Sequence, residues 1–220
     1  MGIISVEQVN RLYWLGRYTE RVYTTVRMYI KSFDTMIDKL ADIYDEFCDM
    51  IDIPNIYTSS EDFMKRYPFD TENPDSIFSN LNRAYDNAIV LRESITSEAL
   101  AFIQLAIYDM NRAKESQAPL IELQQLMDHI LAFWGIVDDQ IDSKENLDII
   151  KIGKRIERID LYARLGVSKD ELRREVHRMV PRVMKSGISY DEVKLELIYQ
   201  LVEAPELDYG RIATIVENII

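Results

Sequence analysis

The chain has 220 residues, of which 47% are apolar and 29% are charged, with 38 acidic residues against 26 basic ones. This length and apolar content suffice for a buried core and exclude a disordered chain. The net charge of -12 repels phosphate backbones and anionic lipid, so generic binding to nucleic acid or to a membrane surface is disfavoured.

The inventory of special residues argues against several other classes. The single cysteine, Cys48, excludes an intrachain disulfide framework, and two histidines leave little material for a zinc site. We therefore expect no cofactor and no metal. The N-terminus lacks a secretion signal, and no apolar run is long enough to span a bilayer. These features predict a cytoplasmic protein that does not enter the membrane.

The scarcity of turn residues predicts an all-α protein. Only seven glycines and six prolines interrupt the chain, and no Asn-Gly or Asp-Gly turn separates alternating apolar segments. Ser5 with Gln8 forms a capping box that opens a helix running towards Met50. A proline-marked loop follows, with a short helix predicted between 60 and 67.

A second long helix is predicted from Pro74 towards Arg112, because small and apolar residues there fall on one face. Four more helices are predicted at 120–141, 147–165, 169–184 and 190–202. Gly166 ends the fourth helix as its C′ residue. Capping boxes open the last two, at Ser168 with Glu171 and at Ser189 with Glu192, and an amphipathic piece follows Pro205.

The pattern as a whole predicts a single-domain helical bundle with long antiparallel helices. We expect one domain over residues 1–220, with a core at 5–166 and short C-terminal helices at 167–220. No short-period repeat is present, so a solenoid is disfavoured.

One charged motif occurs twice. The segment Gly16-Arg17-Tyr18-Thr19-Glu20-Arg21 recurs as Gly153-Lys154-Arg155-Ile156-Glu157-Arg158. Each copy is followed at the same spacing by another arginine. Apolar residues flank the charges on both sides of each helix, so we expect the charged groups to lie partly away from water.

Such charges must be paired, because an unpaired buried charge costs several kcal/mol. We predict a reciprocal cluster in which Glu20 reaches Arg158 or Arg164 and Glu157 reaches Arg21 or Arg27. The two motif glycines would let the helix backbones approach each other. Arginine suits this role because its planar fork binds a carboxylate bidentately and keeps its charge when buried.

Two interpretations of this cluster remain open. It is either a structural network of ion pairs that fixes helix register or a site whose excess of positive groups binds a phosphate or carboxylate. Its members are Arg17, Glu20, Arg21, Arg27, Lys154, Arg155, Glu157, Arg158 and Arg164. Secondary candidates on the middle helix are Arg83, Asn87 and Arg92. No catalytic nucleophile and no metal site are predicted.

These motifs resemble the bacterial alpha-E domain family. The resemblance is carried by Trp14-Leu15-Gly16-Arg17-Tyr18, by the Glu157-Arg158 block, and by a middle stretch that includes Asn73-Pro74-Asp75 and Leu91-Arg92-Glu93. It implies an all-helical cytoplasmic protein that is usually encoded beside a circularly permuted ATP-grasp protein and often a transglutaminase-like protein. Such systems look like machinery for making or trimming peptide or amide bonds. Lys154 departs from the family pattern, where arginine is more usual.

Two functions follow from the resemblance and the motif. The first is a non-catalytic accessory subunit of an ATP-grasp ligase. The second is an enzyme that uses Glu20 or Glu157 as a general acid or base. Surrounding arginines lower the pKa of a carboxylate and so disfavour a strong base, which favours the accessory subunit. A homo-oligomer is also compatible with the long first helix.

Overall fold

The computed structural model describes residues 4–39 and 43–220, with the side chains of 34–39 excepted. Within these residues it contains eleven helices and no strand, which confirms the all-α class. The helices are α1 (Val6–Lys39), α2 (Ile43–Ile51), α3 (Ser60–Arg66), α4 (Ile77–Val90), α5 (Arg92–Ile95), α6 (Ser97–Glu115), α7 (Pro119–Gln140), α8 (Lys144–Arg164), α9 (Lys169–Lys185), α10 (Glu192–Glu203) and α11 (Tyr209–Val216).

The first helix begins as predicted. The Ser5 hydroxyl accepts a hydrogen bond from the backbone N–H of Gln8 at 3.1 Å. The prediction that this helix continues unbroken towards Met50 passes through residues 40–42, which lie outside the described residues. The short helix predicted between 60 and 67 is confirmed by α3.

The prediction of one long helix from Pro74 towards Arg112 is wrong. The chain instead forms α4, α5 and α6, and α4 begins after the N-cap residue Ser76. The break before α6 is at Thr96, whose φ of 76° is rare for a β-branched residue. Its hydroxyl partly offsets this strain by accepting a hydrogen bond from Ala99 N at 3.3 Å, which caps α6.

The C-terminal helices agree with the sequence, with one correction. Gly166 has a φ of 58° after α8, which fits the predicted C′ role. Ser168 caps α9 through Glu171 N. The Ser189 cap is wrong, because Asp191 accepts from Lys194 N at 3.0 Å and α10 begins at the next residue.

The chain divides into two compact units. The first unit comprises residues 1–20 and 141–220, and the second unit comprises residues 21–140. The assignment of residues 1–220 to one domain stays a prediction. None of the helices in the described part of the chain has both the length and the apolarity to cross a membrane.

The core of the second unit contains an aromatic cluster around Phe63. This ring is fully buried and stacks on Tyr67 at a centroid distance of 4.9 Å. Its other aromatic neighbours are Tyr29, Tyr44, Phe47 and Tyr57. Because aromatic pairs add stability beyond their buried area, this cluster anchors α2 and α3 to the unit.

Helices α6 and α7 form the longest antiparallel pair of the second unit. Gln140, at the end of α7, donates to Glu98 at the start of α6 at 2.6 Å. Arg112, near the end of α6, donates to Glu122 near the start of α7 at 2.9 Å. These contacts confirm the antiparallel arrangement for this pair.

In the first unit, α8 is the central helix. It packs against α9 and α11, and α10 packs against both of these. Most side chains of α8 are buried, including charged ones such as Asp148, Lys154, Glu157 and Asp160. Burial of so many ionisable groups requires partners, and these form the candidate site.

Candidate functional site

The two motif glycines place the backbones of α1 and α8 in direct contact. A Cβ atom at Gly16 would overlap the carbonyl oxygen of Ile150 and lie 2.9 Å from Lys154 N. Reciprocally, a Cβ atom at Gly153 would overlap the carbonyl oxygen of Tyr13 and lie 3.2 Å from Arg17 N. No larger residue fits between the helices at either position, which confirms the predicted role of both glycines.

The two helices run in the same direction at this crossing. Gly16 lies against Lys154, and one turn further along each helix Glu20 binds Arg158. The contacts therefore advance together on both helices. Gly153 likewise lies against Arg17, the counterpart of Lys154, so the backbone contacts of the two motif copies are reciprocal.

The first ion pair joins Glu20 to Arg158, as the sequence predicted. Nε of Arg158 donates to one carboxylate oxygen at 2.6 Å and Nη2 donates to the other at 2.9 Å. Glu20 is 0% exposed. Burial by itself would lower the pKa of Arg158, but Glu20 raises it above its ordinary value. Arg158 therefore keeps its charge inside the unit.

The second ion pair joins Glu157 to Arg17, a pairing that the sequence did not predict, and the predicted arginine partners of Glu157 stay predictions. Nε of Arg17 donates to Oε2 of Glu157 at 2.6 Å, and Glu157 is 1% exposed. The guanidinium also lies 5.0 Å from the Trp14 ring centre, which adds a cation–π contact. Arg17 reaches this carboxylate because it follows Gly16 directly at the crossing.

Lys154 occupies in α8 the position that Arg17 has in α1. It is buried, and desolvation lowers its pKa to about 7. The charge of Glu20 opposes this shift, whereas the nearby cations Arg158, Lys151 and Arg155 add to it. Because this pKa lies near neutral pH, small changes in pH or in the neighbouring charges change the charge of Lys154.

Arg164 binds two carboxylates that sequence reasoning missed. It donates to Asp160 at 2.8 Å, one turn earlier on α8, and to Glu217 at 3.1 Å. Burial raises the pKa of Asp160 to about 6 and Glu157 adds to the shift, while Arg164 opposes it. The i,i+4 spacing of Asp160 and Arg164 was a visible signal of this pair.

Another buried carboxylate, Glu175 of α9, was also missed. It is 2% exposed and binds Arg155, while Arg158 lies at 3.8 Å. Arg178 approaches it at 3.5 Å and Arg174 at 4.0 Å. The sequence carries only a weak signal for this site, since Glu175 and Arg178 share a face of α9 but their distance to α8 depends on tertiary packing.

The remaining predicted residues belong to the second unit and stay candidates only. Arg27 is exposed, as is Arg92. Arg83 donates to the carbonyl oxygen of Pro74 at 2.8 Å. Arg21 and Asn87 are partly exposed. Among the described residues, no group of three or more His, Cys, Asp or Glu side chains is arranged to hold a metal ion.

Comparison with known proteins identifies the class of protein that this fold and motif define. The Alpha-E family is described as a predicted alpha-helical domain with a conserved ER motif, and its profile matches residues 8–206. The chain therefore belongs to the Alpha-E family, and the match includes both of its Glu-Arg pairs. No curated protein and no solved structure matches the chain.

Proposed function

We propose that this chain is a non-catalytic helical subunit of a peptide- or amide-bond-forming system and that it acts beside a circularly permuted ATP-grasp ligase. Membership in the Alpha-E family supports the partner, because similarity to this family implies such an association. The burial of both motif glutamates supports the non-catalytic role.

A carboxylate that transfers protons to a substrate must come within hydrogen-bonding distance of it. Glu20 and Glu157 are 0% and 1% exposed, and each is bound by an arginine from the other helix. Ion pairs of this kind specify how helices align, even where they add little net stability. The cluster therefore serves to fix α1 on α8, and the exterior is left for partner binding.

One observation favours the alternative of an enzyme in its own right. Lys154 and Asp160 have pKa values of about 7 and about 6, and pKa values shifted towards neutrality are frequent in active sites. Both side chains are buried, so a substrate would reach them only after the helices that cover them move apart. This requirement makes the enzyme the second candidate.

Co-expression of the tagged full chain with the ATP-grasp protein encoded beside it tests the proposal. We expect a complex that survives size-exclusion chromatography, a change in ATP turnover by the ligase when the chain is added, and no turnover by the chain alone with ATP and amino acids. A transglutaminase-like protein from the same locus provides a second pull-down.

Two results would overturn the subunit role. One is turnover by the isolated chain that Glu157→Gln abolishes while the circular dichroism spectrum is retained, which establishes the enzyme. The other is failure of the chain both to bind the ligase and to alter its turnover.

A further inference from the structure

The first unit contains a basic groove between α8 and α9. Its volume is about 490 Å³, within the range of small-ligand sites. The helices are antiparallel here, since Arg182 of α9 binds Asp148 of α8 and Glu175 binds Arg155. The charged residues that line it are Lys144, Asp148, Arg155, Arg178, Arg182 and Lys185.

Positive charge exceeds negative charge in the basic groove. Two carboxylates, Asp148 and the buried Glu175, face five basic side chains. Within the described part of the chain, no carboxylate forms an ion pair with Lys144 or Lys185. His177 also lines the groove but is bound by Glu203 at 2.7 Å, so we leave it out of this balance. The surplus is about three charges if each carboxylate neutralises one cation.

The excess of positive charge includes a mostly buried side chain, that of Arg155. Its Nε atom is buried and has no hydrogen-bond acceptor among the described residues. Its carboxylate partner in the described part of the chain, Glu175, is shared with Arg158, Arg174 and Arg178. Burial lowers the pKa of Arg155 despite Glu175. An additional anion in the groove would relieve this incomplete compensation.

We propose that the basic groove binds the phosphate groups of a di- or triphosphate ligand. A phosphate chain with several negative charges matches a surplus of three, whereas a single carboxylate would leave most of the surplus. Arg178 and Arg182, one turn apart on α9, present planar guanidinium groups that bind phosphate oxygens bidentately. Lys144 and Lys185 supply mobile point charges at the rim. This inference goes beyond the proposed function, because it requires no ligase partner.

Isothermal titration calorimetry with the full chain tests the proposal directly. The probes are tripolyphosphate, pyrophosphate, ATP, inorganic phosphate and citrate, each at low ionic strength. We expect tripolyphosphate and pyrophosphate to bind more tightly than phosphate or citrate, and added salt to weaken all binding. ATP that binds more tightly than tripolyphosphate would identify the source as a nucleotide, and equal binding would identify an inorganic or other polyphosphate.

Variants locate the binding to the groove. Arg182→Gln should weaken tripolyphosphate binding about tenfold, a change of about 1.4 kcal/mol. Because Arg182 also binds the buried Asp148, the double variant Lys144→Gln/Lys185→Gln provides a second test that breaks no ion pair of the described structure. Arg173→Gln is the matched control, since Arg173 lies on the same helix outside the groove and binds Glu203 at 2.8 Å.

Three outcomes would overturn the proposal: the absence of polyphosphate binding at low ionic strength, binding unchanged in the double lysine variant, and citrate binding equal to that of tripolyphosphate. Loss of affinity in Arg173→Gln equal to that in Arg182→Gln would also overturn it, because the attraction would then belong to the whole of α9.

Discussion

Glu20 stabilises two cations of α8 at once. Its carboxylate accepts both hydrogen bonds of Arg158, and its charge opposes the desolvation of Lys154. Substitution by glutamine retains size and hydrogen-bonding capacity but removes the charge. Arg158 would then lose the charge of its bidentate partner, and Lys154 would lose the charge that opposes its desolvation.

We expect Glu20→Gln to lower the free energy of unfolding by about 3–5 kcal/mol, the cost of breaking a buried ion pair on one side. Urea denaturation followed by circular dichroism measures it. Glu61→Gln is the matched control, because Glu61 is exposed on α3 and its ion-pair partner among the described residues is the exposed Lys65 at 2.6 Å. Equal midpoints for the two variants would contradict a structural role for the cluster.

Lys154 makes stability depend on pH in the alkaline range. In the unfolded chain the group holds its proton up to its ordinary pKa of 10.5, but in the folded protein the pKa is about 7. The unfolded state thus binds more protons between these values. This group therefore makes the protein more stable as pH rises from about 7 to about 10.

Lys154→Met should remove that dependence. Between these pH values, the slope of unfolding free energy against pH should be lower in the variant by up to about 1.4 kcal/mol per pH unit. Denaturant titrations at several pH values give both slopes. Parallel curves for the wild type and the variant would show that Lys154 is charged throughout in the folded state.

At the scale of secondary-structure elements, α1 and α8 cross at Gly16 and Gly153. The short distance between the two backbones there allows the ion pairs between the helices to form. We expect Gly16→Ala and Gly153→Ala each to destabilise the protein by about 1–3 kcal/mol, because the added methyl group would overlap a backbone carbonyl of the other helix. Thermal or urea unfolding measures the loss.

Gly135 is the matched control for these variants. It lies within α7, and a Cβ atom there would have nothing within 4 Å. Gly135→Ala should stabilise the protein by about 0.5–1 kcal/mol through helix propensity alone. If Gly16→Ala also stabilised the protein, the close approach of the two backbones would be wrong.

The sequence predicted those elements whose ends carry local signals. Ser5, Ser168 and Gly166 mark helix ends by their own chemistry, and the structure has helix ends at all three. The break at Thr96 carries only a weak signal, the capping hydroxyl of Thr96 itself, because neither glycine nor proline precedes α6. Continuous periodicity on one face therefore predicted a single helix.

The sequence predicted only those parts of the candidate site that carry a local signal. Equal spacing in two motifs indicated that Glu20 meets Arg158, because both sit on charged faces of internal helices. Arg17 was missed as a partner of Glu157, because that contact depends on the direction in which α1 and α8 cross and the sequence does not specify it. Glu175 lies on a third helix, α9, and no motif in the sequence predicts how α9 packs against α8.

At the scale of the whole molecule, the acidic character is unevenly distributed. Residues 21–140 contain 10 of the 26 basic and 21 of the 38 acidic residues, which leaves 16 basic and 17 acidic residues in the first unit. The second unit therefore carries nearly all of the net negative charge. The basic groove belongs to the unit in which the charges almost balance.

Each unit has its own core. A substitution that destabilises one core should therefore increase local unfolding first within that unit. Phe63→Ala removes the centre of the aromatic cluster and should cost about 3–5 kcal/mol. In hydrogen-exchange mass spectrometry we expect amides of α2 to α7 to accelerate more than those of α8 to α11. Ile156→Ala, at a fully buried position of α8, should give the opposite pattern.

Uniform acceleration of all helices in both variants would contradict this expectation. It would show that the two units unfold as one cooperative body.

The two motif copies, the hexapeptides 16–21 and 153–158, have the same number of residues between glycine and glutamate. This fixed spacing restricts where the protein can tolerate an insertion or a deletion. One residue inserted between Gly16 and Glu20 would rotate the carboxylate by about 100° around its helix, away from Arg158. The same insertion beside Gly187, in the exposed turn between α9 and α10, would alter only the turn. Insertions and deletions are therefore compatible with this architecture in the connections between helices and incompatible with it inside the two hexapeptides.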